Sequence, residues 1–69
     1  MSVHLGQELR AARLAQGFTQ VEVGERMGKA QPVVSRVERQ ADMMTSTVLA
    51  YLAAIEVDPW DWFSGLDLP

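Results

Sequence analysis

Apolar residues recur along the chain at helical spacing. Glycine, proline and capping residues cut that pattern into five short segments. Leu5, Leu9 and Ala12 stand four and three apart, which predicts a first helix from about Val3 to Gln16. Gly17 suits the left-handed residue that ends such a helix, and Phe18 follows, directed at the core. Thr19-Gln20-Val21-Glu22 reads as a capping box: the Thr19 hydroxyl accepts from the Glu22 amide, and the Glu22 carboxylate reaches back. Val23 and Met27 share one face of this second helix, and Gly28 stops it. Lys29-Ala30 is then a turn, and Pro32 suits the first turn of a third helix, where a missing amide costs nothing. Val34, Val37 and Ala41 are predicted on its inner side. Gln31, Pro32, Val33, Ser35, Arg36 and Arg39 are left facing outward or flanking the core.

Residues 40–44 form a loop, and Thr45 or Ser46 is expected to cap a fourth helix that runs to about Glu56. Val48, Tyr51, Leu52 and Ile55 supply its core stripe. Asp58 as cap, Pro59 in the first position and Asp61 two further on predict a short fifth helix over about residues 59–64, closed by Gly65. The tail from Leu66 to Pro69 is expected to fray. The whole reads as one all-α domain over residues 1–69.

A chain of 69 residues is small: such a domain buries only about 60% of its unfolded surface. It has no cysteine, so disulfides and thiolate metal sites are excluded. A single histidine, His4, leaves no metal cluster and no nucleophile–base pair, so no enzyme activity, cofactor or metal is expected. His4 itself reads as an exposed or capping residue. No apolar run approaches the roughly 20 residues of a membrane span, and Met1-Ser2-Val3-His4 lacks a signal-peptide pattern, so a cytoplasmic location is expected. The net charge is −3, but it is unevenly placed. Residues 1–42 carry six basic and five acidic groups, whereas residues 43–69 carry Glu56, Asp58, Asp61 and Asp67 and no basic group. One half can therefore face phosphate while the other faces away.

The order of these signals meets a known family. Leu5-Gly6, Leu9-Arg10, Arg13, Gly17-Phe18-Thr19-Gln20, Gly28 and the run from Gln31 to Arg39 carry the resemblance, and Trp62-Phe63-Ser64-Gly65 resembles the family's aromatic-aliphatic ending. Residues 5–65 resemble the Cro/C1-type (XRE-like) helix-turn-helix domain of phage repressors and bacterial regulators. Asp42-Met43, Ser46-Thr47-Val48 and Tyr51-Leu52 are similar to a subgroup that includes stand-alone antitoxins. The resemblance implies a compact five-helix, lambda-repressor-like domain. Its helix-turn-helix spans about residues 19–39, and its third helix enters the major groove of double-stranded DNA. It further implies a backbone contact by Gln20 and a partly buried ion pair between Arg13 and Glu38 that orients the third helix. Three residues depart from the family pattern. Ala30 replaces a capping Ser or Thr, Gly24 replaces an Ala inside the second helix, and Gln40 replaces a Gly after the third. The first two are each expected to cost about 1 kcal/mol.

Within that frame, Gln31 is the candidate for adenine, whose N6 and N7 a glutamine amide can engage together. Arg36 is the candidate for guanine O6 and N7, with Ser35 beside it and Pro32 and Val33 offering apolar contact to a thymine methyl. Thr19, Gln20, Lys29, Arg39, Thr45 and Ser46 are candidate phosphate contacts, two of the groups lying at helix N-termini. Trp60, Trp62 and Phe63 fall in the acidic half and read as core or partner packing. Leu49, Ala50 and Ala53 on the outer side of the fourth helix, with Trp60, Leu66 and Leu68, form a candidate dimer or partner surface. Two functions are carried forward: a repressor acting as a homodimer on a palindromic operator, and a protein-interaction module such as an antitoxin or antirepressor.

Overall fold

The computed structural model describes residues 3–66. Among these residues five helices follow one another: α1 (Leu5–Gln16), α2 (Gln20–Met27), α3 (Gln31–Glu38), α4 (Thr45–Ala54) and α5 (Pro59–Ser64). Local chemistry explains most of their ends. His4 caps α1, its Nδ1 accepting from the Gln7 amide at 3.1 Å, so the helix starts two residues later than Val3. Gly17 and Gly28 end α1 and α2 at φ of 81° and 70°, the left-handed region that favours glycine. The capping box at Thr19 closes in both directions, at 3.1 and 2.9 Å. The Asp58 carboxylate accepts from the Trp60 and Asp61 amides at the start of α5.

Three expectations fail locally. Neither Thr45 nor Ser46 caps α4: the helix starts one residue sooner, with Met44 at the cap and no side-chain bond. Thr45 is thereby inside the helix. Ala41 is exposed, because α3 ends at Glu38 and the chain has already turned away. α4 ends at Ala54 rather than Glu56, because Glu56 adopts φ of 60° and cannot continue it. That turn is held from outside. Gln16 Nε2 donates to the Ile55 carbonyl at 3.1 Å, and Arg26 donates to the Ala54 carbonyl and pairs with Glu56 at 2.8 Å. The Arg26 guanidinium also lies 4.6 Å from the centre of the Phe18 ring.

The core gathers Leu9, Val23, Val34, Val37, Val48, Tyr51, Leu52, Ile55 and Trp62, with Leu5, Ala12, Phe18, Met27 and Phe63 packed around it. It sits between α4 and the first three helices, and α2 and α3 make the most extensive contact. α1 is also joined to the end of α3. The Leu5 and Gly6 amides donate to the Ala41 and Gln40 carbonyls, both at 2.9 Å. Gly6 lies so close that a Cβ there would meet the Glu38 carbonyl oxygen at 2.5 Å.

Candidate nucleic-acid interface

The turn between α2 and α3 sets the angle of α3. The Lys29 amide donates to the Gly24 carbonyl at 2.8 Å, folding the turn back over α2. A Cβ on Gly24 would stand 2.6 Å from the Lys29 carbonyl oxygen. Gly24 is therefore more than a weak point of α2: it is where the turn backbone passes closest. Ala30 caps α3 without a side-chain bond, and Pro32 fills the first turn. Gln40 serves in place of glycine because the exit from α3 is right-handed, with Arg39 at φ of −92° and the Gln40 amide bonded to the Val37 carbonyl.

The inner face of α3 is locked by a polar cluster inside the core. Arg13 and Glu38 form a buried ion pair: Nε donates to Oε2 at 2.7 Å and Nη2 to Oε1 at 3.2 Å. Arg13 Nη1 also donates to the Phe18 carbonyl at 2.9 Å, tying α1 to the start of α2. The Tyr51 hydroxyl of α4 donates to Glu38 Oε2. Gln20 Nε2 donates to Glu38 Oε1 at 3.0 Å, and Gln31 Nε2 donates to Gln20 Oε1 at 2.7 Å. Among the described residues no buried side-chain nitrogen or oxygen lacks a partner. Burial pushes the Glu38 carboxyl up, but hydrogen bonds from Arg13, Tyr51 and Gln20 outweigh it and hold the group below its ordinary range. The hydrogen bond to Glu38 raises Arg13, and burial together with the bond to Glu38 raises the Tyr51 hydroxyl. One signal for Tyr51 was readable in sequence: a tyrosine in a stripe of Val, Leu and Ile must find a partner for its hydroxyl. The inward role of Gln20 had none.

On the outer face, Gln31, Pro32 and Arg36 of α3 are exposed, and Val33 and Ser35 are half-buried beside them. Lys29 and Arg39 flank the helix, exposed. Among the described residues only Arg13 and Arg26 join ion pairs, so the positive charges of α3 and its turn stay free for a polyanion. Thr19 is exposed and occupied as a cap, whereas Gln20 is half-buried and already bonded at both ends of its amide. Thr45 and Ser46 are exposed on the uncapped first turn of α4, where amides lack helical partners.

The acidic half presents a separate apolar surface. Trp60 is 80% exposed and Leu49 43% exposed, and with Pro59 and Phe63 they line an open groove of about 290 Å³. Ala53 is exposed and Leu66 half-buried; Leu68 lies outside the described residues. Trp62 is buried and packs edge-on against Phe63, with ring centres 5.0 Å apart. Among the described residues there is no cluster of His, Asp and Glu that could hold a metal. Among the described residues no helix is long and apolar enough to cross a membrane.

Residues 4–59 match the family described as "Helix-turn-helix domain". The chain belongs to this family and is a DNA-binding transcriptional regulator. Among solved structures it is similar to the restriction-modification controller protein C.AhdI from Aeromonas hydrophila. Identity is 31%, with 88% of this chain and 94% of that chain covered and a TM-score of 0.71. It also shares its fold with a point mutant of the restriction-modification controller protein C.Esp1396I. There identity is 18%, coverage is 88% and 83%, and the TM-score is 0.79. No curated protein matches.

Proposed function

We propose that two copies of this chain bind a palindromic operator, each laying α3 in the major groove, and that the usual outcome is repression. A single domain of this size covers about half an operator, and two copies reading half-sites roughly 34–36 Å apart supply the rest. Gln31, Pro32, Val33, Ser35 and Arg36 are the base-contacting set. Thr19, Gln20, Lys29, Arg39, Thr45 and Ser46 hold phosphate. The observation that carries the reading is the asymmetry of α3: Glu38, Val34 and Val37 lock one face, while the other exposes Arg36 and Gln31, the latter braced by Gln20. The neighbours' description as restriction-modification controller proteins favours a regulatory role. The protein acts as a cytoplasmic, non-catalytic switch without cofactor.

The dimer surface in this reading joins the groove around Leu49 and Trp60 to exposed Ala53, one turn further along α4, and half-buried Leu66 beyond α5. The exposure of Trp60 also favours a second reading, in which the acidic half docks on a protein partner as an antitoxin or antirepressor. Selection from a random duplex pool at stated salt separates them. Under the first reading a palindromic site is enriched, and Gln31→Ala with Arg36→Ala abolishes it. Under a pure interaction role those changes are silent, and changes at Leu49, Trp60 or Leu66 matter. No enrichment at low salt removes the DNA reading.

A further inference from the structure

A shallow groove of about 270 Å³ lies between α1 and α5. Ala11 and Ala12 of α1, Trp62 of α5 and Leu66 beyond it supply its apolar lining. Glu8 and Asp61 add a carboxylate from each helix, and no basic residue lines it. Both acids are exposed, and among the described residues neither joins an ion pair. Each sits in the first turn of its helix, where negative charge is favourable. That explains each acid singly. It does not explain why acids from opposite ends of the chain meet around one apolar depression. The groove takes no residue from α2, α3 or α4 and none of the candidate DNA contacts. Pro59, Trp60 and Phe63 leave α5 on its other side, so the groove shares only Leu66 with the proposed dimer surface.

Charge selects the occupant. A nucleic acid would set phosphate against Glu8 and Asp61. A second copy across a two-fold axis would set the same carboxylates against themselves. The residues after Leu66 bring a further acid, Asp67, and no cation. A segment with an apolar side chain between Lys or Arg residues satisfies lining and acids together. Its apolar group displaces water from the groove, while long cationic side chains reach the exposed carboxylates. We propose that the α1–α5 groove docks a short cationic segment of a partner protein and leaves α3 uncovered. This holds whether or not α3 reads DNA.

A random peptide library is displayed against the full chain at low salt, and an enriched peptide is titrated into the isotope-labelled protein. Enriched peptides should carry Lys or Arg on both sides of a Leu, Phe or Trp. Amide shifts should concentrate at Glu8, Ala11, Ala12, Asp61 and Trp62. Glu8→Gln with Asp61→Asn should weaken binding roughly tenfold, and added salt should weaken it for the unaltered protein. Should the double variant not fold by circular dichroism, the salt series decides, and binding indifferent to salt overturns the proposal. A folded double variant that binds within roughly twofold of the unaltered protein also overturns it. So do peptides enriched without Lys or Arg, shifts centred on Leu49 and Trp60, or no enrichment at all. The same amides are followed as protein concentration rises and as duplex DNA is added. Saturating shifts in the groove assign it to a second copy in the first case and to DNA in the second, and either overturns the proposal.

Discussion

Replacing Arg13 by methionine keeps an apolar stem in α1 and removes every guanidinium contact. Glu38 would lose two of its four hydrogen bonds and its only counter-charge, and the Phe18 carbonyl would lose its donor. Removing one partner of a buried ion pair costs about 3–5 kcal/mol. The lower end applies here, about 3 kcal/mol, because Tyr51 and Gln20 still donate to the carboxylate. A core of this size supplies only about 3–5 kcal/mol in all, so the variant should sit near its unfolding midpoint at room temperature. Its melting temperature should fall by roughly 12–24 °C. The pH dependence distinguishes a charge effect from lost packing. In the unaltered protein the folded Glu38 carboxyl lies below its ordinary value. Its contribution is therefore complete above the ordinary carboxylate range and disappears as pH falls through the folded value. In Arg13→Met, burial without the guanidinium pushes the carboxyl up, so the folded variant is favoured in acid and loses stability as pH rises. Urea titrations followed by circular dichroism at neutral pH and near pH 4 should show the gap between the two proteins narrowing in acid. A gap below about 1 kcal/mol at neutral pH, or one indifferent to pH, refutes the reasoning.

Three further outcomes follow from the same geometry. Arg36→Ala should relax preference at one base pair by about 1–3 kcal/mol, whereas Arg39→Ala should weaken all sequences alike and lower the salt slope by about 1; fluorescence anisotropy over a salt series checks both. Gly6→Ala should cost about 1–3 kcal/mol in chemical denaturation, because its Cβ would press on the Glu38 and Gln40 carbonyls at 2.5 and 2.6 Å; an unmoved midpoint contradicts this. Trp60→Ala should leave the unfolding of the isolated domain within about 0.5 kcal/mol and dissociate the proposed dimer in sedimentation velocity; a dimer that persists removes Trp60 from the interface.

Sequence exposed what short-range chemistry decides. The capping box at Thr19, the left-handed glycines at 17 and 28 and the Asp58-Pro59 start are local devices, and each stands where its residues predict. The core stripe of α4 was equally readable, because Val48, Tyr51, Leu52 and Ile55 keep helical spacing. The start of α4 was not, since two hydroxyl residues were available and backbone direction chose Met44 as the cap. Gly24 was misjudged because helix propensity ignores a turn backbone passing at 2.6 Å. The clip on the α4–α5 turn joins residues 28 and 39 apart, and the bond from Gln20 to Glu38 joins residues 18 apart. No periodicity announces such contacts. The Arg13–Glu38 pairing was expected only through family resemblance; composition and spacing alone name neither partner.

The two bonds from the Leu5 and Gly6 amides to the chain after α3 have a spectroscopic consequence. First-turn amides of a helix ordinarily have no partner and exchange freely with solvent. These two are held by the carbonyls of Gln40 and Ala41, so their deuterium exchange reports how firmly the far end of α3 is docked. Two resonances at the start of α1 thus serve as a gauge of order in the helix proposed to meet DNA, readable without any DNA present.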